Sequence, residues 1–121
     1  MWGTVSAWIL ALPKPFWGLL MLCALDYAAG VASAIVHKKL SSKIGAVGIA
    51  KKIGILSVVA VAHIVDLYVI GTGTVCGHIA IIFYIVNESI SIMENYAELG
   101  LPMPKKLTDV LAQFKENKGD Q

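Results

Sequence analysis

Ile53–Ile70 (IGILSVVAVAHIVDLYVI), the turn Gly71-Thr72-Gly73 and Thr74–Met93 (TVCGHIAIIFYIVNESISIM) decide the fold of this chain. Both flanking runs are apolar and continuous rather than alternating. In lipid the backbone must pair its own polar groups, which leaves helices or a closed barrel, and continuous apolar runs select helices. Only three residues separate the two runs, so they form an antiparallel hairpin.

Reading toward the N-terminus, His37–Lys52 carries Lys38, Lys39, Lys43, Lys51 and Lys52 and reads as a basic cytoplasmic loop. Within it, Ser41 or Ser42 can cap a helix that continues into the second span. Before it, Phe16–Val36 (FWGLLMLCALDYAAGVASAIV) is another apolar run. Its length covers roughly 31 Å at the helical rise, about one hydrocarbon core. Residues 1–15 open with Met1–Leu12, which is apolar but too short to span. Trp2, Val5, Ile9 and Leu12 recur at helical spacing with Trp8 beside them, the pattern of an interfacial segment. Pro13-Lys14-Pro15 is expected to break the chain there.

Toward the C-terminus, residues 94–121 turn polar and Gly100-Leu101-Pro102-Met103-Pro104 stops the third helix. Leu107, Val110, Leu111 and Phe114 then mark a short amphipathic helix. That stripe must dock on the bundle, another copy or the membrane surface. The expected fold is an all-α integral membrane protein with three transmembrane helices (16–36, 53–70 and 74–93), an N-terminal interfacial segment and a cytoplasmic tail.

Composition agrees. A chain of 121 residues has room for one domain, and 57% of its residues are apolar, against about 45–50% in soluble globular proteins. Small soluble domains bury the smallest share of their surface, so lipid is the solvent that accommodates this chain. The net charge of +2, with no arginine, does not suggest a nucleic-acid partner. Cys23 and Cys76 match no metal spacing and read as small buried hydrophobes. His37, His63 and His78 share no metal-ligand spacing on one helix, so neither a metal nor a cofactor is expected. No removable signal peptide is expected, because no basic region precedes a cleavage site. Hydrolase, phosphate-loop and dinucleotide motifs are missing from the sequence, so an enzyme is not expected.

Lysine placement predicts orientation. Five lysines lie in the first loop and four follow Glu94 (Lys105, Lys106, Lys115 and Lys118), whereas the opposite side holds only Lys14. The positive-inside rule then puts the first loop and the C-terminus in the cytoplasm and the N-terminus outside. An odd number of spans satisfies both basic segments.

Ionisable groups at membrane depth are the candidate functional residues. A bare carboxylate at the bilayer centre costs about 2.5–3.5 kcal/mol on insertion scales. Asp26 lies at the midpoint of the first span and shares a face with Gly30, Ser33 and His37. The small residues of that face favour helix packing over a pore wall, while Asp26 itself points to function. In the second span His63 and Asp66 are three residues apart on one face. That spacing allows a charge-assisted contact within the helix; as Asp66 and His78 lie equally far from Thr72, an Asp66–His78 pair across the hairpin is the second possibility, as a structural bond or a proton relay. Tyr84, Glu88, Ser91 and Asn95 form a polar stripe in the third span with Asn87 beside it. Here a helix end rising into the headgroups and a functional face are equally good readings.

The chain also resembles a known family. The residues that carry the likeness are Asp26 with its small-residue tail, Leu40-Ser41-Ser42-Lys43, Gly48-Ile49-Ala50-Lys51-Lys52, and His63 with Asp66. Phe83–Ile92 with Glu94-Asn95 and Gly100–Pro104 complete the pattern. In order and spacing these are similar to the toxin-secretion and phage-lysis holins. The resemblance implies a bacterial cytoplasmic-membrane protein that accumulates and self-associates into a lesion, releasing an endolysin or a large toxin. It implies no catalytic residues. A small proton- or cation-conducting channel and a membrane-anchoring accessory subunit are the alternatives, the first motivated by the buried acids and the second by the tail.

The orientation is open to a direct check. Cysteines introduced at Ser42 and Asp120, in a background lacking Cys23 and Cys76, should resist an impermeant thiol reagent in intact cells. Labelling of either site before any lesion forms would reverse the topology.

Overall fold

The computed structural model describes residues 3, 4, 6, 7 and 14–119, with side chains through residue 115. Three long helices dominate: α1 (Lys14–Val36), α2 (Ser42–Val65, continued by a π-helical turn over Asp66–Ile70) and α3 (Val75–Glu98). All three are long and apolar enough to cross a membrane. A shorter α4 (Lys105–Gly119) follows, and no strand occurs among the described residues. Of the N-terminal interfacial segment, Gly3, Thr4, Ser6 and Ala7 are helical and exposed, and the remainder of Met1–Pro13 lies outside the described residues.

The helix ends follow from local chemistry. Pro15 stands in the first turn of α1 instead of breaking the chain, because the first-turn N–H that proline lacks has no intrahelical partner. At its other end α1 closes in a Schellman motif: Lys39 N–H donates to the Ala34 carbonyl at 2.8 Å and Lys38 N–H to that of Ile35 at 3.1 Å. The left-handed position of this motif is filled by Lys38, at φ 57°, rather than by glycine. Ser41 caps α2, its hydroxyl accepting from Ile44 N–H at 3.2 Å. Residues 42–52 of the basic stretch are therefore helical, which leaves 37–41 as the connection.

The far end of α3 repeats the Schellman geometry. Leu101 N–H donates to the Tyr96 carbonyl at 3.1 Å and Gly100 N–H to that of Ala97 at 3.0 Å, with Gly100 at φ 90°. Pro102 and Pro104 then prevent the helix from resuming.

Both connections are short, so α1, α2 and α3 run up, down and up. α1 and α3 pack most closely, and α2 touches the pair more sparsely. Buried Leu19, Cys23, Val59 and Ile81 form an apolar core beside the Gly71 turn, with Phe16, Ile55, Ala80, Tyr84 and Ile85 against it. Cys23 thus packs as a buried hydrophobe. α4 packs on α3 with Leu111 half-buried, while Leu107, Val110 and Phe114 remain substantially exposed.

The two Schellman ends differ only in which residue bears the left-handed conformation, which costs an L-residue roughly 1–2 kcal/mol. Gly100→Ala should lower stability by about that amount. Lys38→Gly should raise it by less, because the added chain freedom offsets about 0.5–1 kcal/mol. Thermal loss of the helical circular-dichroism signal in detergent measures both.

Candidate functional site

Asp26 lies at the middle of α1 and Glu88 near the middle of α3. Both are buried, at 7% and 5% exposure. Between them Lys52 of α2 donates from its ammonium to Asp26 Oδ2 and, at 2.7 Å, to Glu88 Oε2. One cation therefore joins all three spans. With all three groups ionised, two carboxylates and one ammonium leave the triad a formal charge of −1.

Sequence reasoning found both acids but assigned Lys52 to the basic loop. The missing signal was a count from the connection. Asp26 and Lys52 each lie thirteen residues from Lys39, so an antiparallel pair turning at residues 37–41 brings them to one depth. The same contact gives Glu88 a partner within the bundle. Its carboxylate turns inward onto Lys52.

Around the triad the helices approach through small residues. The Tyr27 hydroxyl donates to the Gly45 carbonyl at 3.5 Å, and its ring lies over Gly45 and Gly48. A Cβ built on Gly48 would come within 3.2 Å of that ring. Between α2 and α3 an open groove of about 560 Å³ reaches the triad, and Asn87 and Ser91 line it. Asp26 Oδ1 is buried with no hydrogen-bond partner.

Two further polar contacts hold the helix ends. Ser33 donates to Glu98 Oε2 at 3.0 Å, joining α1 to α3, and His37 Nδ1 lies 2.8 Å from the Ser33 carbonyl. Ser33 and His37 thus share a face as expected. Gly30 faces Asn95, whose Nδ2 would lie 3.8 Å from an added Cβ. Glu98 was not singled out in the sequence because it follows the apolar run. Tyr84 packs edge-on against Phe83 at 5.2 Å and beside the apolar core.

At the opposite end the Asp66–His78 pair does not form. Asp66, 1% exposed, accepts from Cys76 N–H at 3.0 Å through Oδ1 and from Gly77 N–H at 2.8 Å through Oδ2. These are first-turn donors of α3, which have no intrahelical acceptor, and Thr74 at the N-cap provides no side-chain bond. Asp66 is therefore a cap supplied across the hairpin, and its negative charge suits the positive helix end. Gly77 lets it approach, since a Cβ there would lie 3.2 Å from Oδ2. Depth alone had suggested His78, whose Nδ1 instead lies 3.0 Å from the Thr74 carbonyl. His63 and His78 line a mostly apolar cavity of about 210 Å³ with Phe16, Val59 and Ile81. Among the described residues no three His, Cys, Asp or Glu side chains converge as metal ligands.

This architecture matches a known family over nearly its whole length: the model of the bacteriophage holin family aligns with residues 3–116. The chain belongs to that family. An uncharacterized 14.9 kDa protein from the nagH 3' region of Clostridium perfringens is 41% identical over 117 residues, covering 96% of this chain and 89% of the relative. Uncharacterized proteins of Listeria innocua (40% identical, 85% and 73% coverage) and Halalkalibacterium halodurans (39%, 80% and 75%) are also similar to it. No solved structure matches the chain. It is thus a holin-like membrane protein, and its distinctive polar feature is the Asp26–Lys52–Glu88 triad.

Removing the central cation should do more damage than neutralising the triad together. Lys52→Met strands two buried carboxylates, a loss of about 3–5 kcal/mol. The triple variant Asp26→Asn, Lys52→Met, Glu88→Gln should recover most of that stability in detergent thermal unfolding. Asp66→Ala orphans two backbone donors and should cost about 1–2 kcal/mol, with Asp66→Asn intermediate.

Proposed function

We propose that this holin-family chain self-associates in the bacterial cytoplasmic membrane and opens a lesion that releases an endolysin or a large secreted toxin. The observation that carries this reading is the charged triad at mid-span. Placing three ionisable groups within the spans, two of them buried, is costly in a membrane protein and is the mark of a functional polar element.

Two other features support the reading. The spans bury little within one copy, only 11% of the most apolar stretch of α2, so most of each helix is left for lipid or neighbouring copies. Exposed Lys38, Lys39 and Lys43 crowd the end of the bundle that also leads to α4, in keeping with a cytoplasmic first connection and tail and an external N-terminus. In the packed state Lys52 bonds to an acid on each flanking helix. When copies rearrange, Asp26, Asn87, Glu88 and Ser91 become the polar wall that water wets, with Gly30 and Ser33 allowing close helix approach. No group in this scheme performs covalent chemistry.

Asp26 provides the test. Asp26→Leu leaves Lys52 paired one-to-one with Glu88, a neutral couple that keeps the helices together. Expressed in a bacterium with an endolysin, this variant should insert and accumulate as the parent does yet fail to trigger lysis. Asp26→Asn should lyse with altered timing. Lysis by Asp26→Leu at the parental time and level would remove Asp26 from the lesion and the triad from the mechanism.

A further inference from the structure

α1 and α3 flank the triad, which opens to two grooves beside α2, one against α3 and a smaller one of about 220 Å³ that reaches Asp26 and Lys52 past Tyr27 and Gly48. The groove of about 560 Å³ between α2 and α3 has Asp26 at its floor, Lys52 and Glu88 in its wall, and Lys51, Gly54 and Ser91 among its lining. The Lys52 side chain keeps 20% of its surface exposed. Because Asp26 and Glu88 lie near the middle of their helices, this opening sits at hydrocarbon depth. Acyl chains cannot solvate it, since they offer no donor or acceptor.

Three observations identify what covers it. Asp26 Oδ1 is buried and lacks a donor, so the site is chemically incomplete within one copy. With all three groups ionised the triad carries a formal charge of −1, while Lys51, which also lines the groove, is exposed and forms no salt bridge to the triad. Gly54, beside it, has open space where a Cβ would stand, so a neighbouring helix can approach the backbone closely. Copies inserted with the same topology place their Lys51 residues at the depth of each other's triads. We propose that this groove is the surface on which a second copy of the chain docks, the neighbour's Lys51 supplying the cation that completes the triad. The inference rests on the self-association proposed above and names its surface. One docked Lys51 brings the cluster to neutrality, with two carboxylates facing two ammonium groups.

Disulfide trapping tests the surface on the full chain in its membrane. In a Cys76→Ser background, with buried Cys23 left in place, Gly54→Cys should oxidise to a dimer at least about tenfold faster than Ile53→Cys. Ile53 is 59% exposed and lies outside the groove. Lys51→Ala should slow trapping at Gly54→Cys severalfold. Separately, Gly54→Leu, which adds bulk to the groove at a position where a Cβ meets no other atom, should shift the chain to monomer in native electrophoresis and delay lysis. Equal trapping at the two positions, or no effect of Lys51→Ala, overturns the proposal. So does a monomeric Gly54→Leu that lyses on time, because association at this groove would then be irrelevant to activity. If Gly54→Cys traps selectively but the parent chain never releases a co-expressed endolysin, the docking surface stands and the lysis reading falls.

Discussion

One ammonium group held between two carboxylates, each on a different helix, is the constraint on which the bundle depends. In a membrane, apolar surface provides no net force that joins one helix to another, so packing, hydrogen bonds and charge must do so. Lys52 bonds to Asp26 and Glu88 at once. That contact sets the rotation of α2 and places α1 beside α3. Breaking it leaves uncompensated charge at a depth where water is scarce. The sparse packing of α2 elsewhere makes this contact and the Asp66 cap its two main polar attachments.

The rest of the fold arranges backbone groups that lipid cannot satisfy. Asp66 reaches from the π-helical turn to two N–H groups at the start of α3, allowing the hairpin end to stay apolar around it. At the basic end, two Schellman closures and the Ser41 cap satisfy carbonyl and amide groups locally. Ser33 and Glu98 add a bond between α1 and α3 there. Polar contacts thus occupy both ends and the middle of the bundle, separated by the layer around Leu19, Cys23, Val59 and Ile81.

This layering bears on the proposed lesion, which has to arise from a stable membrane resident. An apolar bundle would have no reason to admit water, and one lined throughout by charge would not insert. Here the mid-span charges are confined to the triad, where one ammonium partly offsets two carboxylates at a single depth. An exchange of partners among copies could expose them with little change in helix structure, since the bonds at stake are between side chains of different helices and not within any backbone.

Helix number and helix type were legible in the sequence because they depend on local chemistry: apolar run length and the Gly-Thr-Gly and Gly-Leu-Pro-Met-Pro turns. So were Asp26, Glu88 and the shared face of Ser33 and His37, since a charge within an apolar run needs a partner whatever surrounds it. The partners themselves were decided only by tertiary structure. Lys52 reads as one more loop lysine until α2 is rotated against α1 and α3. Asp66 has a histidine at its depth, yet it turns to the amides of Cys76 and Gly77. A residue's need for a counter-charge or donor is inherent in its own side chain, but which group meets that need depends on helix rotation, a property no single helix possesses.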